Sequence, residues 1–198
     1  MFKDPFHWFP DTFFSTVLGL LALGAFFIDY VIPKRLNPGQ SKGHESSRDR
    51  ASFWVIRIAG VLAVGLTLIC RYLNLLIVPV VVQYLGLLLL LIGSVLREWA
   101  IIKLGRFFSR TIQIEEAHKI IRDGPYRWIR HPAYTGMILI YLGIALAIGT
   151  WLGAFLTLGL MLGATMYRIS VEERMLVEAF GDSYRDYMKR TWRLFPGW

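Results

Sequence analysis

The chain has 198 residues, of which 55% are hydrophobic and only 18% charged, with a net charge of +8 and a positive mean hydropathy. This balance excludes an ordinary water-soluble domain, whose surface carries more charge, and the basic excess does not call for nucleic acid, because lysine and arginine in a membrane chain gather in its cytoplasmic loops. The single cysteine, Cys70, lies in an apolar stretch, which excludes an internal disulfide and a cysteine-based metal site, so no metal is expected.

The elements predicted in chain order are all helical. The opening MFKDPFHWFP lacks the basic start, short apolar core and small-residue cleavage site of a signal peptide, so residues 12–32 are expected to remain as the first span. NPGQSKGHESS, residues 37–47, is a polar loop in which His44 is simply solvated. The second and third spans are placed at 51–72 and 75–96. With so short a link they should fold as a tight antiparallel hairpin. The run 75–96 is 22 residues without a charge, and 132–167 is 36, against about 20 needed to cross a bilayer core as helix. The second run is long enough for two short spans, 133–149 and 152–167, turned at GTW.

Five spans put the termini on opposite faces. Of the 22 lysines and arginines, the loops 33–50 and 97–133 and the tail 168–198 hold 5, 8 and 6. The positive-inside rule therefore predicts an outer N-terminus and a cytoplasmic C-terminus and site. Arg57, one turn inside the second span, is expected to reach the interface with its long side chain. After the last span, Leu176, Phe180, Tyr184 and Tyr187 form an amphipathic stripe, interrupted at Gly181, with Asp182 as the N-cap of a second short helix. The fold class is thus all-α: one integral-membrane domain over 1–198, with three N-terminal spans (12–96) and a core at 104–196 containing the hairpin 133–167. The C-terminal amphipathic helix is expected to close a pocket on the cytoplasmic face.

Two clusters carry chemistry. In RHPAYTG, residues 130–136, His131 ends a loop and Pro132 suits the first turn of a helix. The free N–H groups of that turn favour an anion, and Gly136 admits close approach of a ligand or a helix. The competing reading is an interfacial Arg/His/Tyr anchor. At the far end of the uncharged run, RISVEER sets Arg168 and Glu172 four residues apart on one helix face, with Glu173 turned away by a step. Both ends of the hairpin emerge on one side, so His131 and Tyr134 are expected to face Arg168 and Glu172 across one mouth. A structural ion pair is the plainer alternative for Arg168 and Glu172.

HKIIRDGPYRWIRHPAYTG, some thirty apolar residues, and then RISVEERMLVEAFGDSYRDYMKRTWRLFP resemble the isoprenylcysteine carboxyl methyltransferase family of integral-membrane enzymes, over residues 104–196. The resemblance implies S-adenosylmethionine as cofactor, leaving as S-adenosylhomocysteine. It implies that His118, Lys119, Ile120, Ile121, Tyr126, His131, Pro132, Ala133 and Tyr134 surround that cofactor, and that Arg168 and Glu172 bind and align the methyl acceptor. A further polar contact upstream falls on Thr111 or Gln113. The implied partner is a lipophilic or lipid-linked acceptor in the membrane, most simply an isoprenylcysteine-like carboxylate, already ionised near neutral pH at a pKa of roughly 3.5. Three rivals remain at this stage: a phospholipid amine methyltransferase, an NADPH-dependent membrane reductase of sterol type, and a non-catalytic membrane module.

Overall fold

The computed structural model describes residues 18–20, 24, 47–105 and 120–197, so nearly all of the expected first span, and Thr111, Gln113, His118 and Lys119, lie outside the described residues. The described residues form α1 (Ser47–Tyr72), α2 (Val80–Leu104), a 3-10 turn (Gly124–Arg127), α3 (Pro132–Ile148), α4 (Trp151–Phe180) and α5 (Asp182–Arg190). Among them there is no strand, only two isolated bridges. Ala51–Tyr72, α2 and α4 are each long and apolar enough to cross a membrane, and α3 is a shorter apolar helix. Only 28% and 22% of the most apolar windows of α1 and α2 is buried inside the protein. Rows such as Ile58, Val61 and Leu62, or Leu85, Leu88 and Ile92, are exposed, which in an integral membrane protein means that they face lipid.

The second and third spans do not form the expected tight hairpin. α1 packs on α4 and α2 on α3, with little direct contact between α1 and α2. The cause is local. Pro79 precedes the first turn of α2 in extended conformation, and Asn74 and Leu76 have positive φ, so 73–79 is a connection and α2 starts five residues later than the apolar run. That connection has another task. Trp151 N–H donates to the Leu76 carbonyl (2.8 Å), Val78 N–H to Gly149 (3.1 Å) and Thr150 Oγ1 to Leu75 (2.7 Å), fastening it to the α3–α4 turn. The turn itself is Gly149–Thr150: Gly149 adopts φ 100, which favours glycine, and Trp151 already belongs to α4.

Four glycines at seven-residue spacing knit α2 to α3. A Cβ at Gly86 would lie 2.7 Å from the Gly143 carbonyl oxygen and one at Gly143 2.6 Å from that of Gly86, while Gly93 and Gly136 meet in the same way at 2.7 and 2.6 Å. Gly136 therefore serves the approach of a helix and not of a ligand. Between α1 and α4 the contact is partly polar, with Thr67 Oγ1 donating to Ala63 O (2.8 Å) and lying 3.0 Å from Thr157 Oγ1, so these buried hydroxyls are satisfied inside the bundle. Nearer the site, Ala59, Ile138, Met161, Ala164, Ile169 and Leu194 form the largest apolar core.

α4 does not stop at Tyr167. It continues unbroken to Phe180, and its 30 residues give about 45 Å at 1.5 Å per residue, beyond a bilayer core of about 30 Å. RISVEER thus lies on a rigid extension of a span. Gly181, at φ 55, is both the C-cap of α4 and the N-cap of α5. Asp182, expected as the cap, is instead the first residue of α5.

Candidate functional site

The site stands where α3 begins. His131 caps α3 and Pro132 fills its first position, as the sequence suggests. The loop before it is held by main-chain pairing with the C-terminal segment: Trp192 N–H donates to Trp128 O (2.9 Å), Arg130 N–H to Trp192 O (2.8 Å) and His131 N–H to Arg193 O (3.2 Å). Thr135 Oγ1 adds a bond to Leu194 O at 2.7 Å. RWIRH and TWRLF, sixty residues apart in sequence, thus make one platform.

From that platform Tyr134 reaches α4. Its hydroxyl donates to Glu172 Oε2 at 2.9 Å and accepts from Arg168 Nε at 3.2 Å. Arg168 Nη1 in turn donates to Ser52 Oγ of α1 at 2.5 Å. Arg168 is 3% exposed and Ser52 wholly buried. A chain of contacts, Ser52–Arg168–Tyr134–Glu172, therefore runs across three helices, and Tyr134, Arg168 and Glu172 do converge. Arg168 sits inside the bundle, not at an open mouth.

His131 takes a different partner from the one expected. Its Nε2 lies 3.3 Å from Glu173 Oε1, which also accepts from Arg130 Nε at 3.0 Å, while Glu173 Oε2 accepts from Arg193 Nη2 at 2.6 Å. Glu173 is thus a buried hub, not a residue turned away. One step along a helix is a rotation of about 100°, and α4 is flanked by protein on both sides here, so the step carries Glu173 from one part of the platform to another.

Tyr126, in the 3-10 turn, packs with Ala100 and Ala133, flanked by Leu104 and Ile121. Ile120 is half-buried. Burial foremost, and then the nearby Glu172, Tyr187 and Tyr134, push the Tyr126 phenol well above its ordinary pKa, against a smaller opposing effect of Arg97. It is accordingly a neutral hydroxyl at any physiological pH. α5 packs against this turn: Tyr187 OH donates to Tyr126 O at 2.7 Å, and Arg122 lies over the Tyr187 ring, 5.8 Å from its centroid. In the stripe, Tyr184 and Tyr187 are buried, Leu176 and Phe180 only partly.

Sequence reasoning missed Ser52, Glu173 and Arg193. Ser52 carries no signal, being one hydroxyl on an apolar helix. For Glu173 and Arg193 the signal was the excess of cations in RWIRH and TWRLF over nearby acids, which calls for a buried counter-charge.

Fold and site together define a polytopic α-helical membrane protein with a polar cluster built on one end of its bundle. Residues 84–178 match the model of the isoprenylcysteine carboxyl methyltransferase (ICMT) family. A relative from Oryza sativa subsp. indica, a probable protein-S-isoprenylcysteine O-methyltransferase, is 33% identical over 112 residues, 56% of this chain and 59% of the relative. The protein-S-isoprenylcysteine O-methyltransferase of Schizosaccharomyces pombe (strain 972 / ATCC 24843) is 33% identical over 104 residues, 52% of this chain and 44% of its own length. The chain thus spans between two-fifths and three-fifths of the length of these relatives. The solved structure of the eukaryotic intramembrane Ras methyltransferase ICMT shares the fold, with a TM-score of 0.66 at 24% identity, over 93% of this chain and 66% of that one.

Proposed function

We propose that this protein transfers a methyl group from S-adenosylmethionine to the carboxylate of an isoprenylcysteine-like, lipid-linked acceptor within the membrane. The observation that carries the reading is the Ser52–Arg168–Tyr134–Glu172 chain, a buried cation and a half-buried carboxylate held at the meeting of the two family motifs. When bound, S-adenosylmethionine supplies an electrophilic methyl group on a sulfonium. The residues suit it: Tyr126, Ala133 and Ile121 give an adenine ring an apolar and aromatic wall, and Glu172, felt by both Tyr126 and Tyr184, puts negative charge where a sulfonium gains from it. Ile120 and the first turn of α3, His131 to Tyr134, complete that wall on this reading, with His118 and Lys119 carried over from the family pattern.

No proton need leave a carboxylate acceptor, so the work of the chain is alignment and charge. Arg168 supplies the counter-charge to the acceptor, and Ser52 and Tyr134 hold the guanidinium plane fixed before the acceptor arrives, so little reorganisation is needed at reaction. Tyr134, sharing its hydroxyl between Arg168 and Glu172, couples the acceptor side to the donor side. The lipid tail stays among the exposed apolar rows of the bundle. The basic loops set this end in the cytoplasm, with α5 as cover over the donor wall.

The test is methyl transfer from radiolabelled S-adenosylmethionine by the detergent-solubilised protein, comparing farnesylcysteine analogues with phosphatidylethanolamine. Labelled methyl ester from the former supports the reading, and label on the amine lipid alone overturns the carboxylate assignment. Calorimetry with S-adenosylhomocysteine and NADPH separates methyltransferase, reductase and non-catalytic module: the first ligand binds, the second binds, or neither does.

A further inference from the structure

Glu173 is 5% exposed and shares its two oxygens among three basic side chains: Arg130 at 3.0 Å, His131 at 3.3 Å and Arg193 at 2.6 Å. These three side chains come from the two segments that pair along 128–131 and 192–193. Arg130 also donates through Nη1 to the carbonyls of Met188, at 2.8 Å, and Thr191, at the C-terminal end of α5. A single carboxylate on α4 therefore fastens the loop before α3, the start of the C-terminal segment and the end of α5. Glu172, its neighbour, touches Tyr134, three residues after His131 on the same turn. Two consecutive acids of α4 thus hold two neighbouring side chains of one helical turn, whose rings lie 5.8 Å apart.

We propose that Glu173 is a positioning residue for donor binding: acting through Arg130, His131 and Arg193, it fixes the first turn of α3 and the overlying α5 in the places that form the donor wall. The proposal rests on the methyltransferase reading above. Glu173 is too deeply enclosed by its partners to meet the donor itself, and its effect passes through His131. Neutralising it leaves two guanidiniums without their shared counter-charge, and the platform must shift to hydrate them.

The experiment uses the full chain in detergent and measures S-adenosylhomocysteine affinity by calorimetry, KM for donor and for a farnesylcysteine analogue, and the thermal midpoint. Glu173→Gln, which keeps shape and one acceptor oxygen, is expected to weaken S-adenosylhomocysteine about ten- to a hundredfold, the worth of one charge-assisted hydrogen bond. The donor KM should rise with it and the acceptor KM stay nearly constant. Arg193→Lys, at a side chain 34% exposed, keeps the charge but not the planar hold and is expected to give a smaller loss of the same kind. It reads the proposal if the first variant does not fold. Donor affinity equal to wild type in either folded variant, with only the thermal midpoint lowered, overturns the proposal and leaves Glu173 a purely structural hub. Wild-type protein that binds no S-adenosylhomocysteine overturns the underlying functional reading instead, and is visible before any variant is made.

Discussion

Arg168→Lys tests whether the buried guanidinium does more than carry charge. In the folded protein two nitrogens of one rigid plane reach two different helices, Nη1 to Ser52 on α1 at 2.5 Å and Nε to Tyr134 on α3 at 3.2 Å. Lysine keeps the positive charge but offers a single ammonium on a flexible stem, so it cannot hold both partners and still face an acceptor in a fixed plane. At least one charge-assisted hydrogen bond is lost, worth about 1.5–3 kcal/mol. If that bond persists in the transition state, kcat/KM for a farnesylcysteine analogue falls by about ten- to a hundredfold. Initial rates with radiolabelled donor, set beside S-adenosylhomocysteine affinity in the same detergent, separate the possible roles. The expected outcome is slow transfer with donor affinity nearly intact. An equal loss of donor affinity assigns Arg168 to the donor's own carboxylate, and wild-type transfer by a folded variant refutes the alignment argument altogether.

Other consequences are simpler to check. Gly143→Ala places a Cβ 2.5 Å from Leu90 N and 2.6 Å from Gly86 O, both main-chain atoms that cannot rotate away, so α2 and α3 must separate at a cost of about 1–3 kcal/mol. Its thermal midpoint by circular dichroism should drop by several degrees, whereas Gly159→Ala, with nothing within 4 Å of the new carbon, should match wild type or exceed it. Arg57 is exposed and lies over the Phe53 ring at 5.1 Å, away from the site contacts. Arg57→Lys should keep wild-type turnover, and a folded, donor-binding variant without turnover would make Arg57 part of the transfer machinery. Tyr126→Ala removes the aromatic member of the Ala100–Ala133 cluster and should weaken S-adenosylhomocysteine in calorimetry, while Tyr126→Phe, which keeps the ring, should retain most of the affinity. Equal affinity in both variants and wild type would reduce Tyr126 to packing.

What the sequence made legible follows from the range of the forces involved. Long uncharged runs declare apolar helices without any knowledge of their neighbours, and Pro132 after His131 marks a helix start by its missing N–H. The spacing of Arg168 and Glu172 shows that they share a face, and the order of the two motifs shows that both clusters lie at one end. Helix pairing was not legible in this way. The short link between the second and third spans argued for a hairpin, yet the partner of α2 is chosen by complementary glycine notches on α3, a match of Gly86 and Gly93 with Gly143 and Gly136 that exists only once both helices are laid side by side. The same holds at the site. His131 and Glu172 were expected to converge because their segments do, but a carboxylate goes to whichever cations surround it, and the strongest such environment in the described structure is assembled by the TWRLF segment around Glu173. Local pattern thus identifies which residues carry charge and where helices begin, while the pairing of charge with charge is decided by a segment sixty residues away. In a chain whose candidate site is stitched together by main-chain bridges at its far end, the acid beside the expected one becomes the structural centre, and the expected acid, Glu172, is left half-buried, accepting from the Tyr134 hydroxyl.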